Sequence, residues 1–126
     1  MIAVTQPRRV AAVNLATRVA QEMGQGKVGV GPVGYRVRFD EKIGPATKIK
    51  FLTDGMLLRE AIIDKCLRAY SCIILDEAHE RTVNSDVLLA LLKGIVSEKR
   101  ANDLKLVIMS ATLDLTKFTD YFGDSA

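Results

Sequence analysis

The chain has 126 residues, 48% of them hydrophobic and 26% charged, with a formal net charge of +3. That length holds one domain with a real core and excludes a pair of full domains within these residues, and the composition excludes a disordered or low-complexity chain. No apolar run approaches the roughly 20 residues that cross a bilayer, and the first residues lack the apolar core of a signal peptide, so an intracellular protein without a membrane partner is expected.

The first strand is predicted over Met1-Ile2-Ala3-Val4, and Val10, Val13, Ala16, Val19, Ala20 and Met23 then recur at helical spacing up to Gly24. Glycine from Gly26 to Gly34 marks a loop, after which Tyr35, Val37 and Phe39 alternate with Arg36 and Arg38 as a half-exposed strand. Ile49 and Phe51 alternate with Lys48 and Lys50, and this strand runs through Thr53-Asp54-Gly55 into a helix carrying Met56, Leu57, Ile62 and Ile63. Cys72 to Leu75 is an all-apolar strand, Asn84 or Ser85 is the expected cap of a helix through Val96, and Leu106 to Met109 is another apolar strand. A helix is expected from Leu113 to Phe122. Cys66 and Cys72 are too few and too badly placed for a metal cluster and are expected as reduced, buried thiols.

Strands alternating with helices, the central strands apolar on both faces, predict an α/β fold: a parallel sheet with helices on both faces. In such sheets ligands collect beyond the carboxyl ends of the strands, where every polar cluster of this sequence falls. Charge is also uneven along the chain. Residues 1–50 carry nine Lys or Arg and three Asp or Glu, a net +6, whereas residues 51–126 carry nine and twelve, a net −3. A basic half attracts phosphates and an acidic half can hold a cation, although surface charge is often only solubilising.

The densest cluster is Asp76-Glu77-Ala78-His79-Glu80-Arg81, directly after an apolar strand. A carboxylate at the end of a buried strand can hold Mg²⁺ beside nucleotide phosphates, and a second can orient or deprotonate an attacking water. Asp76 suits the first task and Glu77 the second. A solvated loop with a capping acid is the ordinary explanation of an isolated Asp-Glu pair; placement after an apolar strand reverses that preference. His79 is the only histidine, and such a residue more often serves structure than catalysis. Ser110-Ala111-Thr112 follows the next apolar strand, so its hydroxyls either cap a helix or meet His79 across adjacent strand ends. Thr5-Gln6-Pro7-Arg8-Arg9 ends a strand at Pro7, which leaves Arg8 and Arg9 near a helix start where a phosphate backbone can bind. Thr53-Asp54-Gly55 offers a hydroxyl and backbone N–H groups at another helix start, with capping an equally ordinary explanation.

Taken in order, TQPRRVAA at Thr5 to Ala12, VGYRVRF at Val33 to Phe39, FLTDGMLLRE at Phe51 to Glu60, DEAHERT at Asp76 to Thr82 and SATLD at Ser110 to Asp114 span nearly the whole chain. They resemble the motifs of DEAH-box RNA helicases of the second helicase superfamily. The resemblance implies a partial first RecA-like domain over residues 1–126, of the P-loop NTPase type. It implies that Asp76 and Glu77 hold Mg²⁺ and activate water, and that His79, Ser110 and Thr112 link ATP (NTP) hydrolysis to movement between lobes. It implies that Arg8, Arg9 and Thr53 touch the RNA backbone, with Gln6 and Asp54 shaping those loops, and that Arg18 stacks on the nucleotide base. Spacing alone would make Arg18 an ordinary exposed helix arginine. Further implied partners are a second RecA-like lobe and protein cofactors, in the nucleus, nucleolus or cytoplasm.

One departure matters. No G-x-x-x-x-G-K-[ST] occurs, and Gly24-Gln25-Gly26-Lys27 lacks the following hydroxyl residue and trails a helix rather than a strand. The expectation is therefore a domain lacking the N-terminal P-loop strand, inactive alone and poorly stable, with the Leu106 to Met109 strand left at an unpaired edge. Two other readings stay open at this stage: a short noncatalytic RNA- or protein-binding module, and a DEAH-related DNA helicase.

Overall fold

Six strands form, five of them on runs rich in apolar and β-branched residues and the third on charged ones: β1 (Ile2–Gln6), β2 (Val33–Val37), β3 (Asp40–Lys42), β4 (Ile49–Thr53), β5 (Cys72–Leu75) and β6 (Lys105–Ile108). The computed structural model describes residues 1–78, 82–99 and 103–110. Within these the strands form one sheet in the order β3-β2-β4-β1-β5-β6. Every neighbouring pair is parallel except β2 and β3, which form an antiparallel hairpin. The helices are α1 (Arg9–Met23), α2 (Asp54–Ile63) and α3 (Val83–Gly94), the last continuing as a π-helical turn over Ile95–Lys99.

Side chains on a strand point alternately to the two faces, and the core divides accordingly. On one face Ala12, Ala16 and Ala20 of α1 pack on Val33, Tyr35, Val37 and Phe51. On the other, Leu57 of α2 and Leu88 and Leu92 of α3 pack on Ala3, Leu52 and Ile73. Helices thus cover both faces, as the alternation of strands and helices predicts. The small alanines let α1 approach β2 and β4 closely.

Several local expectations are corrected. The β2 strand stops at Val37, and Phe39 lies in the hairpin turn at φ 69°, 88% exposed, because the chain must reverse into β3. Neither Asn84 nor Ser85 caps α3. Thr82 does, its Oγ1 accepting from Ser85 N at 3.1 Å while Ser85 Oγ donates back to Thr82 O at 3.0 Å. The pattern placed Lys50 outward, yet it is 7% exposed, since Glu60 and Tyr70 offer it partners inside. Ile62 and Ile63 are exposed at the end of α2, and both cysteines are free but only half-buried. Among the described residues β6 is an edge strand, with Val107 42% exposed. The expected helix from Leu113 to Phe122 lies outside the described residues.

Candidate active site at the carboxyl edge of the sheet

The parallel register sets the site. Thr5 of β1 stands beside Leu75 of β5 and Leu52 of β4, and Gln6 stands beside Thr53. Residues following β4, β1, β5 and β6 therefore emerge at one edge of the sheet: Thr53-Asp54, Pro7-Arg8-Arg9, Asp76-Glu77 and Met109-Ser110. The β2–β3 turn carrying Arg38 and Phe39 extends the same edge outward, with the Arg38 guanidinium 4.8 Å from the Phe39 ring centroid. Sequence reading placed that pair inside a strand; the Phe39-Asp40 step, where the alternation stops, was the available sign of a turn.

The turn after β5 is fixed from both neighbouring strands. Asp76 N–H donates to Thr5 O at 3.2 Å on the β1 side, and Ala78 N–H donates to Met109 O at 3.1 Å on the β6 side. Between these anchors Glu77 adopts φ 58°, a left-handed conformation uncommon for any residue but glycine, Asn and Asp. Backbone held so far from its preferred region is characteristic of functional turns. The Asp76 carboxylate is held as well: Oδ1 accepts Glu77 N–H at 2.8 Å, and Oδ2 accepts the side-chain amide of Gln6.

Among the described residues no group of three His, Cys, Asp or Glu gathers into a metal cage. The donor set of Asp76 and Glu77 nevertheless fits Mg²⁺, which keeps several waters and takes one or two protein carboxylates plus substrate phosphates. Each oxygen of Asp76 keeps acceptor capacity after the bonds just described.

The start of α1 is built against the usual helix preference. Its N-cap is Arg8, which makes no side-chain capping bond, and no acid lies in the first turn. Two exposed arginines thus stand at the positive end of a helix dipole, where an anion would be stabilising. The charge of Arg9 also reaches Tyr35, whose phenol is raised above its ordinary range by burial and by its hydrogen bond to Asp40, and lowered by Arg9. One strand over, Thr53 is the N-cap of α2, again without a side-chain capping bond, and Asp54 behind it is 3% exposed. Capping therefore does not account for the Thr53 hydroxyl.

The sequence candidates fall into four groups. Gln6, Asp76 and Glu77 are in direct contact, and Arg8, Arg9, Thr53, Asp54 and Ser110 share their edge through the strand register. Arg18 stands apart on the outer face of α1, exposed and paired with Glu22 at 3.2 Å, a contact of small energy at such exposure. His79 and Thr112 lie outside the described residues.

No protein-family model matches the chain. Individual proteins do. Human "ATP-dependent RNA helicase DHX33" is 56% identical over 130 residues, covering 98% of this chain and 18% of its own length. "Probable ATP-dependent RNA helicase DHR2" of Saccharomyces cerevisiae is 56% identical over 124 residues, 98% of this chain and 16% of its own. The chain belongs to the DEAH-box ATP-dependent RNA helicase family. A third member, "Pre-mRNA-splicing factor ATP-dependent RNA helicase prp22" of Schizosaccharomyces pombe, is 57% identical over 122 residues, 97% of this chain and 10% of its own length. The chain thus spans between 10% and 18% of these family members. The mostly parallel sheet with helices is the RecA-like α/β fold of such helicases.

Proposed function

We propose that the chain is part of the first RecA-like motor domain of an intracellular RNA helicase, and that the full-length protein hydrolyses ATP to translocate on and remodel RNA or RNA–protein complexes. The observation that carries this reading is the Asp76-Glu77 turn, strained at Glu77 and seated one strand from the uncapped, arginine-bearing start of α1. Family membership supplies the reaction, and the edge supplies the residues.

In this reading Asp76 holds Mg²⁺, and Glu77 orients or deprotonates the attacking water. Bound Mg²⁺ would neutralise charge on the nucleotide phosphates. Arg8, Arg9 and Thr53 grip the RNA backbone through phosphate oxygens, a kind of contact that positions a strand without reading its sequence. From the exposed face of α1, Arg18 would stack on the nucleotide base, exchanging its weak pairing to Glu22 for that contact. His79, Ser110 and Thr112 pass the nucleotide state to a second RecA-like lobe, with protein cofactors acting on the whole.

The test is strand displacement by the full-length protein on matched RNA and DNA duplexes with single-stranded tails. ATP-dependent displacement of the RNA duplex is expected. Equal or faster displacement of DNA would assign a DNA helicase instead, and tight RNA binding with no ATP-dependent displacement would leave a noncatalytic module.

A further inference from the structure

Gln6 was expected among the residues that shape the RNA-facing loop, and its side chain is buried against Asp76. It is the last residue of β1 and only 3% exposed. A buried primary amide needs partners, because an unmade hydrogen bond there costs about 1–3 kcal/mol. Its nitrogen donates to Asp76 Oδ2. The amide oxygen in that position would face a carboxylate, so the donor end must point at Asp76.

We propose that Gln6 is a positioning residue for Asp76, setting the plane of the carboxylate that binds the metal. The inference rests on the reading of Asp76 given above. A free aspartate carboxylate turns broadly about its terminal torsion. Here the turn is stopped from two directions: Glu77 N–H holds Oδ1, and the Gln6 amide holds Oδ2. Mg²⁺ demands near-octahedral geometry, so a carboxylate fixed in one plane binds better than one that must be ordered on binding. The parallel register brings the two residues together, since Asp76 N–H donates to the carbonyl of Thr5, the neighbour of Gln6. Gln6 therefore serves the nucleotide side of the edge, while Arg8 and Arg9, beyond the rigid Pro7, serve the other.

The experiment uses the full-length protein with Gln6→Met, which keeps the length but donates nothing. Gln6→Asn, one methylene too short to reach, tests the same bond with the amide retained should the first variant fold poorly. Three quantities are read: affinity for a fluorescent ATP analogue with and without magnesium, affinity for single-stranded RNA without nucleotide, and kcat against KM. For both variants the magnesium-dependent gain in nucleotide affinity and kcat should each fall about tenfold, the usual scale for losing a partner of a metal ligand. RNA affinity and metal-free nucleotide affinity should not change. A wild-type magnesium response would overturn the proposal, as would RNA affinity and magnesium response falling together, which marks a structural role. Asp76→Asn is measured alongside. If it abolishes the magnesium response while the Gln6 variants do not, only the role of Gln6 is wrong; if it leaves that response intact, the site reading fails and this inference with it.

Discussion

Lys50 Nζ lies 2.8 Å from Glu60 Oε2, joining the middle of the sheet to the last turn of α2. Both side chains are largely buried, at 8% and 15% exposure. The Tyr70 hydroxyl takes a hydrogen bond from Lys50 at 2.8 Å and donates to the other oxygen of Glu60, while Arg36 approaches Glu60 at 3.2 Å. This cluster holds β4 and α2 in the relation that presents Thr53 and Asp54 at the edge. Removing Lys50 leaves the buried Glu60 carboxylate with Arg36 and the Tyr70 hydroxyl but without its nearest charged partner, so Lys50→Met should destabilise this domain by about 2 kcal/mol. Adding Glu60→Gln should recover most of that loss. Thermal unfolding of the full-length protein checks both; a double variant no better than the single one would mean the pair contributes little.

Tyr70 gives the cluster a pH dependence. Burial first, and then the Glu60 hydrogen bond and charge, raise its phenol well above the usual range. A group whose folded pKa is raised contributes stability that is complete below its unfolded pKa, near 10, and is lost as pH rises beyond it. Stability of the domain should therefore fall above about pH 10, and fall less steeply in Tyr70→Phe. Unfolding followed across alkaline pH tests this. An identical alkaline slope in the variant would remove Tyr70 from the account.

Glu77 predicts an opposition between stability and activity. Its φ of 58° suits glycine, so Glu77→Gly should raise stability by about 1 kcal/mol while removing the carboxylate proposed to act on water. Melting temperature and ATP turnover are measured together. A variant that loses stability would show that Glu77 contacts, rather than function, hold the turn.

Arg8 and Arg9 are predicted to act on RNA through charge alone. Each change to alanine should weaken RNA binding similarly across unrelated sequences and flatten the dependence of log affinity on log salt by about 0.7. Equilibrium titrations at several salt concentrations give the slope. Selective loss for one sequence would contradict a phosphate contact.

The order of the three helices and of five strands, and the location of the site at the strand ends, were legible because apolar runs and polar clusters alternate along the chain, whereas β3 holds no apolar residue and gave no such signal. What the pattern could not show were contacts made across long stretches of sequence. The period of β4 places Lys50 outward, and only the arrival of Glu60 and Tyr70 from later in the chain makes its burial stable. Gln6 is separated from Arg8 and Arg9 only by Pro7 in sequence, yet the sheet register gives it to Asp76, a residue 70 positions away. The cap of α3 was misplaced because Thr82, Asn84 and Ser85 are all good capping types within four residues. Phe39 looked like one more apolar strand position, and only the hairpin partner β3, three charged residues long, marks it as a turn.

The central claim, that the turn after β5 carries the hydrolytic carboxylates, is tested most directly by Glu77→Gln in the full-length protein. This change keeps the size of the side chain and removes its negative charge and its ability to take a proton. RNA-stimulated ATP hydrolysis in a single turnover should fall by about 100-fold or more while ATP affinity stays as it was, since the interaction lost belongs to the transition state. Hydrolysis at the unaltered rate, or affinity falling in step with it, would contradict the assignment.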